Sequence, residues 1–482
     1  MHYIDLGIFV GYMVLMLGVG YYFMRQNKNQ DDYYVGGRNI GSWHIGLSVV
    51  ATDVGGGFSV GLGGLGFVMG LSGSWMLFTG LLGAWLAAVI LIPRVKSDPA
   101  FAKFHTFPQI FEYLFDRRVG LIAAVISFLG YLGFTSSQLL AGAKLASGTF
   151  PSIGLYEALI MMGVIAVVYT VLGGLKAVIY TDTVQWIILM LGFILIGLPV
   201  AYFHVGGWES IQQTLPASYF SLSNLRWQDL ANWGITIIPI WFIGMTLYQR
   251  IFASRDVASA KKAWFIAGFF EWPIMAFMGV SLGLLSKVAF EQGLLAIDLD
   301  VIDPEMGLPI LLRTVLPPGI LGLMMAAYFS AVLSTADSCL MAASGNLSTD
   351  VFGGWLNLKG EKQQIRFSQL ITLILGILAV GLALQMTNVL DLMLYSYAFM
   401  VSGLLVPILF GLFTRHRNPR AAILSMVAGG VVTLGLGWVD GELFLGLDPN
   451  FFGLLASLAM YLLVTVLNRD YKQNKIKEYA SN

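Results

Sequence analysis

Charge is what this sequence has least of. Only 11% of its 482 residues are Asp, Glu, Lys or Arg, while 57% are hydrophobic; soluble domains carry roughly 25% charged residues. A single cysteine, Cys339, excludes internal disulfides and leaves the redox compartment open. The five histidines (His2, His44, His105, His204, His416) are scattered at the ends of apolar segments. They show no metal-ligand spacing and no nucleophile–base pair, which removes the enzyme class. There is no low-complexity tract, no short-period repeat and no stretch long enough for a soluble domain. The longest non-apolar pieces, near 94–118, 204–230 and 287–308, read as loops, the last rich in Asp and Glu. Nothing basic marks out a nucleic acid, the formal net charge being zero, and no obligatory protein partner is evident.

What the chain does have is apolar runs of about 20 residues, each long enough to cross a hydrocarbon core of roughly 30 Å. Thirteen segments are expected, near 4–24, 41–71, 73–93, 119–149, 155–172, 178–203, 231–253, 262–286, 309–345, 367–385, 387–413, 420–438 and 450–468. Three are too long for one straight span; of these the second and ninth begin or end with Gly, Pro or polar residues and should contain broken or surface-lying pieces. Met1 to Asp5 carries no basic stretch, so the first run is expected to span rather than to be cleaved. With the N-terminus outside, alternation places all of the 27 Lys and Arg residues on the cytoplasmic side except Lys144, Arg226, Lys287 and Arg313. That is the asymmetry expected of cytoplasmic loops. The sequence therefore predicts an all-α polytopic protein of the plasma membrane, with its C-terminus cytoplasmic and the lipid bilayer as its surroundings.

A few residues do not belong in lipid. In "LSVVATDVGGGFSVGLGGLGF" (47–67), three consecutive glycines follow Asp53 closely. Glycine costs about 1 kcal/mol in a helix interior, so this segment should unwind. Unwound backbone is tolerated inside a bilayer only where protein or water satisfies it. Its freed carbonyls and amides are then suited to an ion and a solute. In "SAVLSTADSCLMAAS" (330–344), Ser334, Thr335, Asp337 and Ser338 fall within five residues. Helical spacing puts them along one face with the Ala331 carbonyl one turn behind, and such oxygen donors suit a small hard cation. Buried ionisable residues are functional candidates by default. Beyond Asp53 and Asp337 they are Asp182, near the inner end of the sixth segment, Lys144, Glu271 and an interfacial Asp391. Lys144 is expected to snorkel outward. Glu271 is open to three roles: a substrate contact, a proton site, or a buried partner for Lys144.

The stretches "GGLKAVIYTDTVQ" (173–185) and "SAVLSTADS" (330–338) resemble the two signatures of the sodium:solute symporter family. So do "YYVGGRNIGSW", "AGAKL", "YQRIFASRD" and "YSYAF" in the corresponding segments. The resemblance implies a LeuT-type fold of two inverted five-helix repeats, with the first helix of each, the second and seventh spans, broken. The expected units are a first span and cytoplasmic loop (1–40), repeats at 41–203 and 231–413, and two further spans with a cytoplasmic tail (414–482). It also implies sodium (Na+) held by the carbonyls of Ala51, Val54 and Ala331 and the hydroxyls of Ser334 and Thr335. Asp53 matches an aspartate that couples sodium in the proline-transporting branch. A possible second cation site falls at Asp182, Ser334, Asp337 and Ser338, with Asp337 standing where the pattern has serine.

The solute is less legible. The proline branch is similar at aromatic positions that fall on Phe134 and Trp241, and at "SYAF" around Tyr397. Gly55 and Phe58 of the broken second span and Glu271 complete the expected substrate contacts. "ATDVGGG" is similar to the choline branch, which has a tryptophan where this chain has Asp53; losing that wall weakens a quaternary-ammonium cage. The expectation is a sodium-coupled symporter that imports a small organic solute, an amino acid such as proline or an osmolyte, by alternating access. Proton coupling through Asp53 or Asp337, or a sugar, carboxylate or choline-like solute, stays open; a channel fits broken spans less well.

Overall fold

A computed structural model describes residues 3–26, 30–295, 303–353, 360–415, 417–439 and 441–481. The side chains of residues 17, 20, 23, 24, 26, 30, 32, 33, 54, 57–59, 172–174, 176, 177, 361, 362 and 468 onward lie outside that description. Among the described residues there is no β-strand, only one isolated bridge between Ile40 and Ser254.

The major helices are α1 (Tyr3–Gln26), α2 (Ser42–Met69), α3 (Trp75–Leu86), α4 (Arg117–Thr149) and α5 (Leu155–Gly192). Then come α6 (Trp227–Ile243) and α7 (Met245–Ala253), bent by 41° where Gly244 separates them. Next are α8 (Val257–Phe270) and α9 (Phe277–Glu291), joined through a π turn at Glu271–Ala276. After them stand α10 (Pro304–Val315), α11 (Ile320–Gly345), α12 (Glu361–Ala383), α13 (Val389–Phe413), α14 (Pro419–Leu436) and α15 (Pro449–Ser481). Each of the thirteen apolar segments falls on helix. By length and apolarity, nine described stretches are able to cross a bilayer, ten if α6 and α7 make one span, with shorter apolar helices at Tyr3–Met16 and Leu155–Val171.

Side chains and neighbouring helices mark the ends of these helices. Asp116, Asp256, Asp303, Asn388 and Asn418 cap α4, α8, α10, α13 and α14 by accepting backbone N–H groups of the first turn, satisfying donors a helix start leaves open. The Ser259 amide thereby holds the exposed Asp256 carboxyl below its usual range. α11 begins at Gly319, which has no side chain to cap with. Asp5 of α1 supplies the acceptor instead, taking the Gly319 and Gly322 amides at 2.7 and 2.8 Å.

α2 and α11 form the centre. α2 packs on α4, α5, α8, α9, α10 and α11, and α11 packs on α1, α4 and α5. In the α11 span 83% of residues are buried, against 22% in the α15 span, so α15 faces outward and α11 is enclosed on all sides.

Three expectations change here. The long ninth segment is two helices, α10 and α11, separated at Pro317–Pro318–Gly319, where two prolines cannot donate to a continuing helix. The loop expected at 173–177 is helical, α5 running through it. Lys144 does not snorkel. It is 2% exposed and pairs with Asp303 and Glu305, each at 2.6 Å. Glu305 also accepts the Val389 and Leu390 amides at the start of α13, so this network ties α4, α10 and α13 together.

Candidate functional site

The break in α2 falls at Gly55, with φ 27° and ψ −161°, a conformation that side-chain-bearing residues rarely adopt. Space enforces the same choice: a Cβ there would stand 2.5 Å from Thr335 Oγ1 and 2.8 Å from Gln138 Oε1. Backbone freed in a membrane must find partners, and α4 provides them for both broken spans. Gln138 accepts the Gly56 amide at 2.8 Å. The Tyr131 hydroxyl oxygen accepts the Thr246 amide at 3.2 Å, in the first turn of α7. Neither residue was anticipated; Gln138 was readable only as a lone amide in an apolar run, and Tyr131 gave no signal.

Thr335 brings α2 and α11 together. Its hydroxyl lies 3.1 Å from the Ala51 carbonyl and 3.3 Å from the Ala331 carbonyl. Three of the five oxygens expected around sodium therefore meet at one point. Ser334 does not share that contact. One residue along the helix it turns about 100° away and lines a small cavity with Met13, Met16, Tyr169 and Gln185, its Oγ buried without a partner. The side chains of Val54 and Phe58 lie outside the described residues.

Below this point Arg250 of α7 reaches into the bundle, fully buried. Its Nε donates to Ser48 Oγ at 3.0 Å, its Nη2 to Thr52 Oγ1 at 2.5 Å and Ser338 Oγ at 3.0 Å, and its Nη1 to the Thr246 carbonyl at 3.2 Å. Asp182 sits 3.5 Å from Nη2 and accepts the Ser48 hydroxyl at 2.5 Å. So two residues expected at a second cation site, Asp182 and Ser338, face a guanidinium. Asp337 accepts the Thr170 hydroxyl through Oδ1, while among the described residues its Oδ2 and Asp182 Oδ1 have no hydrogen-bond partner. Arg250 had been counted with the cytoplasmic charges. The signal was its place inside the seventh segment, where an arginine is an intramembrane charge. Gln249, beside it, is buried, and among the described residues neither of its amide atoms has a hydrogen-bond partner.

Glu271 opens the π turn between α8 and α9. Pro273, two residues on, has no N–H to give, and the helix absorbs the gap as the wider turn common at functional sites. Glu271 is fully buried against Gly80 of α3, where any Cβ would overlap its carboxyl. It is not a partner for Lys144. The π turn instead packs on α2, which carries Asp53, and the two buried carboxyls are close enough to interact. Both Glu271 oxygens and Asp53 Oδ2 lack any donor among the described residues. One turn along α3, Trp241 packs on Gly83, edge-on to Trp264 at 6.4 Å, its buried indole N–H unpartnered. Phe134 of α4 and Tyr397 of α13 meet edge to face at 4.8 Å. The structure thus brings Glu271 near Asp53, sets Gly55 against Thr335 and Gln138, pairs Phe134 with Tyr397, and places Trp241 on Gly83, one turn of α3 from the Glu271 contact. Among the described residues no cluster of His, Cys, Asp or Glu is built to hold a transition metal.

Comparison with known proteins gives the family and the fold. The profile described as the sodium:solute symporter family matches residues 33–429. The osmoregulated proline transporter OpuE of Bacillus subtilis is 28% identical over 449 residues, 89% of this chain and 87% of that one. The sodium/proline symporter of Salmonella typhimurium is 27% identical over 471 residues, covering 93% and 92%. Among solved structures, a substrate-bound, outward-open Na+-coupled sialic acid symporter matches with a TM-score of 0.80 at 22% identity, covering 97% of this chain and 98% of that one. Mhp1, a nucleobase-cation-symport-1 transporter, matches at 0.59 and 13% identity, covering 92% and 95%. At such identities these two establish the fold, which is of LeuT type. The chain belongs to the sodium:solute symporter family, and it is a multi-pass membrane transporter that moves a small solute with sodium rather than an enzyme.

Proposed function

We propose that this chain imports a small amine-bearing solute of the amino-acid type, the relatives named for proline giving the first candidate. The observation that carries the reading is the meeting of the Thr335 hydroxyl with the Ala51 and Ala331 carbonyls beside the break at Gly55. Oxygens of this kind, neutral and supplied by two different helices, suit a dehydrated sodium ion. The proposed set is Ala51, Val54, Ala331, Ser334 and Thr335, of which Ser334 has to change its orientation to bring in its hydroxyl. Sodium here holds α2 against α11 and so fixes the unwound segment, Asp53 and Gly55 included, that faces the solute. Asp182 and Asp337 exceed Arg250 by one negative charge, which supports a second cation, sodium or a proton, between them and Ser338. The orientation is N-terminus outside and C-terminus cytoplasmic, the repeats running from 41 to 203 and from 231 to 413.

The energy suffices. A potential of about 100 mV supplies roughly 2.3 kcal/mol per charge carried across, and a tenfold sodium gradient adds about 1.4 kcal/mol. One sodium thus sustains a solute gradient of about several hundredfold, with the carrier rocking around a site fixed at mid-membrane.

Uptake into proteoliposomes tests the reading. Thr335→Ala should raise the sodium concentration for half-maximal uptake about tenfold, the equivalent of one lost oxygen ligand worth about 1.4 kcal/mol. Unchanged sodium dependence removes the site, and uptake undiminished with choline replacing sodium removes the mechanism.

A further inference from the structure

We propose that the groove between the start of α2 and the lipid-facing side of α8 binds one anionic phospholipid. Its phosphate would rest on Lys261 and Lys262, and one acyl chain would lie along the aromatic wall.

α2 and α8 begin side by side. The Ile40 amide donates to the Ala253 carbonyl at 3.1 Å and the Arg255 amide to the Ile40 carbonyl at 3.3 Å, just before each helix starts. Further along, a Cβ on Gly46 would stand 2.9 Å from the Ala263 carbonyl oxygen, so the missing side chain lets the two helices close up. Before that contact Trp43 stands 55% exposed, and between it and α8 runs a groove of about 590 Å³. Ligand pockets usually hold about 300–1,000 Å³. Phe265, Phe269 and Phe270 form the wall, and Trp186 of α5 braces Phe270 edge-on at 4.8 Å. Lys261 and Lys262 line the end nearer the start of α8.

An apolar face on a membrane helix asks only for lipid chains in general. This one is concave and carries charge at one end. Among the described residues neither Lys261 nor Lys262 has an acidic partner, whereas Lys144 and Lys287 both do. Two adjacent ammonium groups call for an anion, and a phosphate diester supplies one. Apart from them and the Trp43 indole the lining is hydrocarbon, which suits an acyl chain and not a soluble anion. The length agrees as well. From Lys262 to Phe270 the helix rises about 12 Å, and one leaflet contributes roughly 15 Å of the hydrocarbon core. A phosphate held by the lysines thus hangs its chain along the phenylalanines. The proposed orientation puts the lysines at the cytoplasmic face, whose leaflet carries anionic lipid, and Trp43 at the depth where tryptophan gathers.

Native mass spectrometry of the full-length protein in detergent tests this, with the melting temperature measured alongside. Dioleoylphosphatidylglycerol is the probe, dioleoylphosphatidylcholine the zwitterionic control and inorganic phosphate the control without a chain. The expected result is one phosphatidylglycerol retained about tenfold or more tightly than phosphatidylcholine, with a rise in melting temperature that phosphate does not reproduce. Lys261→Gln with Lys262→Gln should lose this preference, about fivefold for each lysine, and melt like the wild type without lipid. Arg415→Gln with Arg420→Gln, exposed arginines at the connection between α13 and α14, should keep it. Equal retention of the two lipids overturns the proposal. So does an equal loss in both double variants, which would mean a general attraction of basic residues for anionic lipid. Protection by phosphate alone removes the lipid as occupant, and a dimer that holds no lipid gives the groove to a second copy. None of these readouts depends on the sodium or solute assignment.

Discussion

Asp182 and Glu271 are both fully buried carboxylates on membrane-spanning helices, yet their surroundings are opposite. Asp182 has the Ser48 hydroxyl at 2.5 Å and the Arg250 guanidinium at 3.5 Å, and Arg250 is itself held by oxygens from α2, α7 and α11. Among the described residues Glu271 has only a second carboxyl beside it. Removing an ion from water is repaid only by good geometry and complete hydrogen bonding. At Asp182 the repayment comes largely from within the chain and from three other helices, which makes the pair a tie among α2, α5, α7 and α11. At Glu271 no such repayment is present among the described residues. Glu305, saturated by Lys144 and two amides, belongs with Asp182.

Neutralising each carboxylate with its isosteric amide turns this difference into measurements. The largest effect is expected at Asp182→Asn, which strands Arg250 without a counter-charge and should cost about 3–5 kcal/mol. It would be read as a lower melting temperature in detergent and poorer yield. Adding Arg250→Gln should recover much of the loss, because the two residues act as one unit. If Asp182→Asn melts like the wild type, the hydroxyls alone hold the arginine and the tie is not ionic.

Glu271→Gln should move the other way. Without ligand it replaces a carboxyl facing a carboxyl with an amide that donates to Asp53, a charge-assisted hydrogen bond worth roughly 1–3 kcal/mol. The variant should therefore be more stable than the wild type. A variant less stable than the wild type would mean that Glu271 already has an adequate complement, and the contrast with Asp182 would disappear.

Much of this contrast was half visible in the amino-acid sequence. Asp53, Asp182, Glu271 and Asp337 stand out because each is a charge in an apolar run, and the glycines after Asp53 mark the break at Gly55. Thr335 was legible through helical spacing behind Ala331. What could not be read was which charge meets which: Asp53 and Glu271 lie far apart in the chain, and only the packing of α2 against α8 and α9 joins them. Arg250 was missed because a rule that sorts basic residues to the cytoplasm works on average and is blind to one that turns inward. Ser334 shows the limit of face arguments, since neighbours about 100° apart on a helix share a side only loosely. Lys144 shows that a long flexible cation snorkels only when no carboxylate waits for it, and Asp303 and Glu305 come from a helix whose start the sequence placed in a loop.

The smallest effect is expected at Asp5, where the partner is neither a guanidinium nor a carboxyl but the open end of a helix. Its Oδ1 accepts two amides from the first turn of α11, and an asparagine oxygen can accept both equally well. Asp5→Asn should therefore lose only the attraction between a full charge and the helix N-terminus, about 0.3–1 kcal/mol. Asp5→Ala should lose the cap as well, typically about 1 kcal/mol more. Sodium dependence and solute affinity should stay at wild-type values in both, because α11 is secured here at the end away from Thr335. A shift in sodium affinity in Asp5→Asn would show that tension at the start of α11 reaches its ion-facing turns. The three carboxylates would then report on one mechanical element rather than on three separate ways of answering a buried charge.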